Sequence, residues 1–122
     1  MVTQNIKGYE KLIVWKEAHA FVLMIYKATR LFPKEELFGI TSQLRRAAVS
    51  VPANIIEGQA RASRKEFVQF LYIANGSLVE SEYYISLVRD LGYITDSTFE
   101  SLEKQCRSVG ILLHRLIFSL KR

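Results

Sequence analysis

The sequence predicts an all-α protein, an up-down-up-down antiparallel four-helix bundle, and three observations carry that prediction. Apolar residues recur at steps of three and four through four separate stretches. Capping residues stand at the head of three of them, and the joints between stretches are short and hold Pro33, Gly39 and Gly92. The composition agrees: 49% of the residues are apolar and 24% charged, with six glycines and two prolines, which is globular rather than disordered. A chain of 122 residues suits one domain over 1–122, able to bury roughly two thirds of its unfolded surface without staples.

Residues 1–11 show no periodicity and read as an N-terminal arm. From Leu12 the residues Trp15, Ala18, Val22, Ile25 and Thr29 keep a 3-4 rhythm, the inner face of a helix over about 12–31. Pro33 biases Phe32 away from the α region and ends it. Lys34 to Phe38 is expected to form a single turn broken by Gly39, after which the Thr41 hydroxyl is expected to cap a second helix over about 41–60. Its core stripe is Leu44, Ala48, Val51, Ile55 and Gly58. Pro52 lacks the N–H that would bond Ala48, so a kink at a local cost of about 3 kcal/mol is expected there. The apolar register continues through it without a slip, which argues against a break.

Ser63 and Glu66 form a capping box that opens a third helix over about 64–91, ended by Gly92. Phe67, Leu71, Ala74, Leu78, Ile85 and Val88 make its inner face. Thr95 caps a fourth helix over about 96–120, with Ser97 and Glu100 as an alternative box two residues on. Phe99, Leu102, Cys106, Val109, Leu113, Leu116 and Leu120 then hold a coiled-coil-like seam.

Little in the chain supports chemistry. A di-iron bundle needs Glu-x-x-His pairs, but Lys16 precedes His19 by three residues and Ile111 precedes His114. Both histidines border core faces and read as packed or surface imidazoles. Cys106, the one cysteine, sits in the seam and reads as a small hydrophobe; a reducing compartment is the simplest setting. Glu80 and Glu82 lie too far apart on the wheel to form an inward carboxylate pair. Phosphate loops and nucleophile triads are missing, so no enzyme, metal or other cofactor is expected. No stretch resembles a signal peptide or a membrane span, which places the chain in the cytoplasm.

Two surface patterns remain. Seventeen Lys and Arg against twelve Asp and Glu give a net charge of +5, a balance that favours polyanions. Arg45 and Arg46 stand near the start of the second helix, and Arg61, Arg64 and Lys65 crowd the turn into the third, making these five the candidate nucleic-acid-binding residues. The plain alternative is a solvated turn with Arg61 paired to Glu57. Lys104, Arg107, Arg115, Lys121 and Arg122 form a looser basic set on the fourth helix. The second pattern is apolar: Val49, Pro52 and Ile56 flank the core stripe of helix two, and Val68, Tyr72, Val79 and Tyr83 that of helix three. A lone bundle needs one stripe per helix, so these seven are the candidate interface of a homo-oligomer. Asn75, Gly76 and Ser77 are small enough to permit close approach of a neighbour.

The segments YEKLIVWKEAHAF, FPKEELFGITSQLRRAAVSVPANIIEGQARASRKEFVQFLYIANGSLVESE and LGYI resemble the four-helix-bundle proteins encoded within intervening sequences of bacterial 23S ribosomal RNA genes. That superfamily is shared with the accessory variability determinant of diversity-generating retroelements, and the likeness is nearer the ribosomal branch. The resemblance implies a cytoplasmic bundle that assembles as a homopentamer. From the retroelement branch it implies a basic surface for RNA or DNA and a reverse transcriptase as partner, with Arg45, Arg46, Arg61, Arg64 and Lys65 as the matching positions. A protein-interaction scaffold without nucleic-acid binding is the alternative function.

Overall fold

Four helices follow one another through short turns in the structure, a computed structural model that describes residues 12–121. They are α1 (Ile13–Thr29), α2 (Ile40–Gln59), α3 (Arg64–Asp90) and α4 (Asp96–Leu120), with a 3₁₀ turn at Lys34–Glu36 between α1 and α2. The arm expected over residues 1–11, and Arg122, lie outside the described residues. Each helix packs on two others: α1 on α2 and α4, and α3 on α2 and α4. The result is a square four-helix bundle in chain order, as the short joints require.

The caps set the helix ends. Ser63 Oγ accepts from the Glu66 N–H at 3.1 Å and opens α3. Thr95 Oγ1 accepts from the Thr98 N–H at 3.1 Å and opens α4, which sets aside the Ser97 alternative. At the end of α3, Gly92 takes φ +80 and donates to the Arg89 carbonyl, while the Tyr93 N–H reaches the Val88 carbonyl, both at 2.9 Å. That pair of bonds is the Schellman arrangement, and its left-handed residue is where glycine is needed.

Thr41 does not cap α2. The helix begins at Ile40 with Gly39 before it, so Thr41 already lies inside. Its side chain is 3% exposed and its hydroxyl has no hydrogen-bond partner among the described residues.

The core is drawn from one stripe per helix. On α2 all five expected residues are buried, and Thr41, Ala47 and Pro52 join them. α2 runs unbroken through Pro52. On α1 the buried residues are Val14, Ala18, Phe21, Val22, Ile25 and Thr29, so the stripe is centred nearer Val14 and Phe21 than expected; Leu12 and Trp15 are half-buried at its edge. On α4 Ile117 is buried and Leu116 and Leu120 only partly so. A straight α-helix drifts about 20° per heptad from a 3.5-residue seam, and by the third heptad Ile117 has rotated into the core.

α2 and α3 approach closely at Gly58. A Cβ there would lie 2.8 Å from Phe67 Cδ1, 2.8 Å from Phe70 Cβ and 3.3 Å from the Phe67 carbonyl oxygen. Buried hydroxyls are satisfied within their own helices, and part-buried polar groups tie one element to another. The Thr29 hydroxyl donates to the Ile25 carbonyl, and Ser81 Oγ to that of Ser77. Gln105 Nε2 donates to both the backbone carbonyl and the side chain of Glu17, tying α4 to α1 at 2.9 Å. Tyr93 donates to Glu36 at 2.8 Å and holds the 3₁₀ turn against the α3–α4 joint.

Cys106 is 3% exposed and its thiol faces the Leu78 carbonyl at 3.8 Å. Burial, with smaller contributions from Glu82 and Glu103, pushes that thiol up to about 12. No helix among the described residues is long and apolar enough to cross a membrane, and no group of three or more His, Cys, Asp or Glu there is placed to hold a metal ion.

Candidate nucleic-acid interface

The five basic residues singled out in the sequence do not form one patch. Arg45 turns toward α1: its Nε donates to Thr29 Oγ1 at 2.8 Å and its guanidinium lies 4.7 Å from the centre of the Tyr26 ring. Half-buried and bonded in this way, it braces α1 on α2 rather than presenting charge to a partner. Arg46 is exposed one step further round α2, lining one depression with Arg45 on the α1 side and another with Ser77 and Glu80 on the α3 side. It stands about 22 Å along the helix axis from Arg61, too far to share one phosphate.

Arg61 takes the plainer of its two expected roles. Its Nη2 pairs with Glu57 Oε2 at 2.9 Å, and the guanidinium sits 4.7 Å from the centre of the Phe70 ring. Both partners of this i,i+4 pair are exposed, so it contributes only about 0.3–0.5 kcal/mol.

Arg64 and Lys65 are exposed and make no hydrogen bond or ion pair with other described residues. They occupy the first turn of α3, where the helix dipole opposes cations, so local stability does not account for them. The bundle brings α4's last turn beside them. Lys121 Nζ donates to Tyr72 Oη at 3.2 Å and lies 5.7 Å from the centre of that ring.

Two adjoining surface depressions share Tyr72 and Lys121. One, of about 420 Å³, is lined also by Arg64, Lys65 and Gln69. The other, of about 440 Å³, is lined by His114, Arg115 and Phe118. His114 Nδ1–H donates to the Gly110 carbonyl at 2.8 Å, which orients the imidazole along α4. Arg115, like Arg64 and Lys65, has no partner among the described residues. The assembled surface is therefore Arg64, Lys65, Arg115 and Lys121, with two aromatics between them. Sequence reasoning found the cations but divided them between two sets, and it missed Phe118. The signal was present: Phe118 is off the α4 seam, seven residues after exposed Ile111 and on the same outer line as Arg115.

The apolar interface candidates also divide. Pro52 is buried within the bundle, contrary to expectation, because it lies only about 40° around α2 from Ala48, inside the core arc. Val49 is exposed and Ile56 half-buried, just outside that arc. With Tyr26, Leu37 and Phe38, Val49 lines a depression of about 550 Å³ on the α1/α2 side, where Phe38 is 93% exposed. Val68 is half-buried and packs against the core. Val79 and Tyr83 are exposed on the other side of the square; Val79 joins Ile111 and Gly110 around a depression of about 470 Å³ between α3 and α4. Tyr72 belongs to the basic surface instead.

Polar residues of α2 meet α3. Ser50 Oγ and Ser77 Oγ are 2.8 Å apart, and Asn54 Nδ2 donates to the Ser50 carbonyl and hydroxyl. Tyr84 Oη lies within hydrogen-bond distance of Glu80 and Gln43, and the bond to Glu80, more than its burial, raises that phenol's pKa.

The comparison with curated proteins finds no match. Among solved structures, the chain is similar to a protein of unknown function from the S23 ribosomal protein family of Bacteroides thetaiotaomicron VPI-5482. The two are 28% identical with a TM-score of 0.80, over 86% of this chain and 95% of that one. The model of the family described as 23S rRNA-intervening sequence protein matches residues 10–115. The chain belongs to the 23S rRNA-intervening sequence protein family.

Proposed function

We propose that the protein is a non-enzymatic, cytoplasmic bundle that associates with copies of itself and offers a basic surface to RNA or an RNA–protein assembly. One observation carries the RNA reading: Arg64, Lys65, Arg115 and Lys121 gather where α3 begins and α4 ends, and no carboxylate among the described residues pairs with any of them. Uncompensated cations on one surface release counterions when they meet phosphates, which gives affinity without sequence preference. The family's name supplies the ribosomal RNA setting.

Self-association is supported by exposed apolar side chains in two depressions on opposite sides of the square, Val49, Leu37 and Phe38 beside Arg45 and Arg46 on one, and Val79 and Ile111 beside Arg107 and Arg115 on the other. Unlike surfaces facing opposite ways favour head-to-tail contacts, which form a ring where the rotation between copies closes and a filament where it does not. A ring of five is what the family resemblance implies.

RNA affinity should fall steeply with salt, and replacing Arg61, Arg64 and Lys65 by alanine should weaken binding to all RNA sequences alike, with Arg61 contributing least. Absent or salt-insensitive binding at low ionic strength refutes the RNA reading. Light scattering that reports a monomer at micromolar concentration refutes self-association.

The exposed Leu37 and Phe38 also favour a second reading, a scaffold that docks another protein, such as a reverse transcriptase. Recovery of that protein after nuclease treatment, with no RNA affinity in the purified chain, would select it.

A further inference from the structure

The aromatic residues between the cations have no evident packing duty. Phe118 is 75% exposed and Tyr72 49% exposed, although both stand on helices whose inner faces are well filled. Each lines a depression that also holds cations: Tyr72 is the wall common to both, and Phe118 faces it across the one lined by His114 and Arg115. Lys121, bonded to Tyr72 Oη at 3.2 Å, keeps a positive charge beside the ring. Flat apolar rings alternating with cations match the two chemistries of an unpaired nucleotide, its base face and its phosphate.

We infer that this surface takes single-stranded nucleic acid in preference to duplex, with bases stacking on Tyr72 and Phe118 while Arg64, Lys65, Arg115 and Lys121 meet the phosphates. The inference rests on the RNA reading above and adds the form of the ligand. A duplex hides its base faces in its own stack and offers these residues only phosphates. A single strand can lay successive bases onto the rings. Base faces and phosphates are common to RNA and DNA, so a DNA strand of the same sequence should bind within a few-fold of the RNA strand.

The test uses the full chain, a labelled twelve-nucleotide RNA, the DNA strand of the same sequence and the corresponding RNA duplex, followed by fluorescence anisotropy at fixed salt. Wild type should bind the strand at least tenfold more tightly than the duplex. Phe118→Ala should lose about tenfold for the strand and little for the duplex, and Phe118→Trp should retain binding. Tyr72→Phe, which keeps the ring and drops the hydroxyl, should lose less than Tyr72→Ala. All these substitutions lie on the surface, so folding by circular dichroism and oligomeric state by light scattering should match wild type.

Equal affinity for strand and duplex, or unchanged strand binding in Phe118→Ala and Tyr72→Ala, overturns the inference; so does a strong preference for RNA over the DNA strand. If Arg64→Ala/Lys65→Ala/Lys121→Ala still weakens both strand and duplex in that case, the RNA reading stands alone. No binding by wild type at low ionic strength removes both.

Discussion

The Gly58→Ala substitution tests the packing that places the basic turn. The new methyl would meet Phe67 Cδ1 and Phe70 Cβ at 2.8 Å and the Phe67 carbonyl at 3.3 Å. Carbon atoms in good contact sit about 3.5–4.0 Å apart, so the two helices must part by several tenths of an ångström. Phe67 could swing its ring, but Phe70 Cβ and the carbonyl are fixed to the α3 backbone, which makes relief costly. Overpacking of this kind costs about 1–3 kcal/mol, and the better helix propensity of alanine returns about 1 kcal/mol. A net destabilisation of up to about 2 kcal/mol follows. Gly76→Ala is the matched control. Nothing lies within 4 Å of a Cβ built there, so only the propensity gain of about 1 kcal/mol applies within one protomer. Urea unfolding followed by circular dichroism, at one protein concentration, reads both. Gly58→Ala stabilised as much as Gly76→Ala would refute the close approach of α2 and α3. Gly76 also shares a helix face with Val79 and Tyr83, so if a second copy packs there Gly76→Ala should weaken assembly while stabilising the isolated protomer.

Other substitutions separate packing from binding. Thr41→Val removes a buried hydroxyl that has no partner and keeps the side-chain volume; stability should rise by about 1 kcal/mol in urea unfolding. Arg45→Ala removes the bond to Thr29 and the contact with Tyr26; stability should fall by about 1–2 kcal/mol with RNA affinity little changed, measured by unfolding and anisotropy together. Cys106 should resist a water-soluble thiol reagent until the chain unfolds. Its folded thiol titrates near 12 against 9.0 for the ordinary group, so above pH 9 the unfolded chain loses this proton first. Its contribution to stability is therefore complete below pH 9 and declines as pH rises from 9 toward 12, and Cys106→Val should remove that part of the slope in urea midpoints taken across the range.

The helices were legible because their signals are local. Ser63 with Glu66, Thr95 and Gly92 act within one turn, and the α3 and α4 boundaries fall within one residue of those the sequence predicts. The centre of the α1 stripe was less legible, since Val14, Trp15, Phe21 and Val22 are apolar across a wide arc and periodicity alone cannot say which face the neighbours cover. Thr41 misled because a threonine can cap or sit inside a helix, and the helix start at Ile40, one residue before it, decides between these.

The candidate site was legible as composition but not as geometry. Arg45 is drawn off by Thr29, sixteen residues earlier on another helix, and Lys121 meets Tyr72 across forty-nine residues. Both are tertiary contacts with no counterpart in a helical wheel. Pro52 shows the same limit: its position on α2 was right, but the width of the buried arc depends on how closely α1 and α3 enclose the helix.

The central claim is that RNA meets the surface where α3 begins and α4 ends, and its most direct test is the salt dependence of single-stranded RNA binding. Removing three phosphate contacts with Arg64→Ala/Lys65→Ala/Lys121→Ala should lower the slope of log affinity against log salt by about 2, at about 0.7 per contact, while Arg45→Ala leaves it unchanged. An unchanged slope in the triple variant, or an equal loss in Arg45→Ala, would contradict the account.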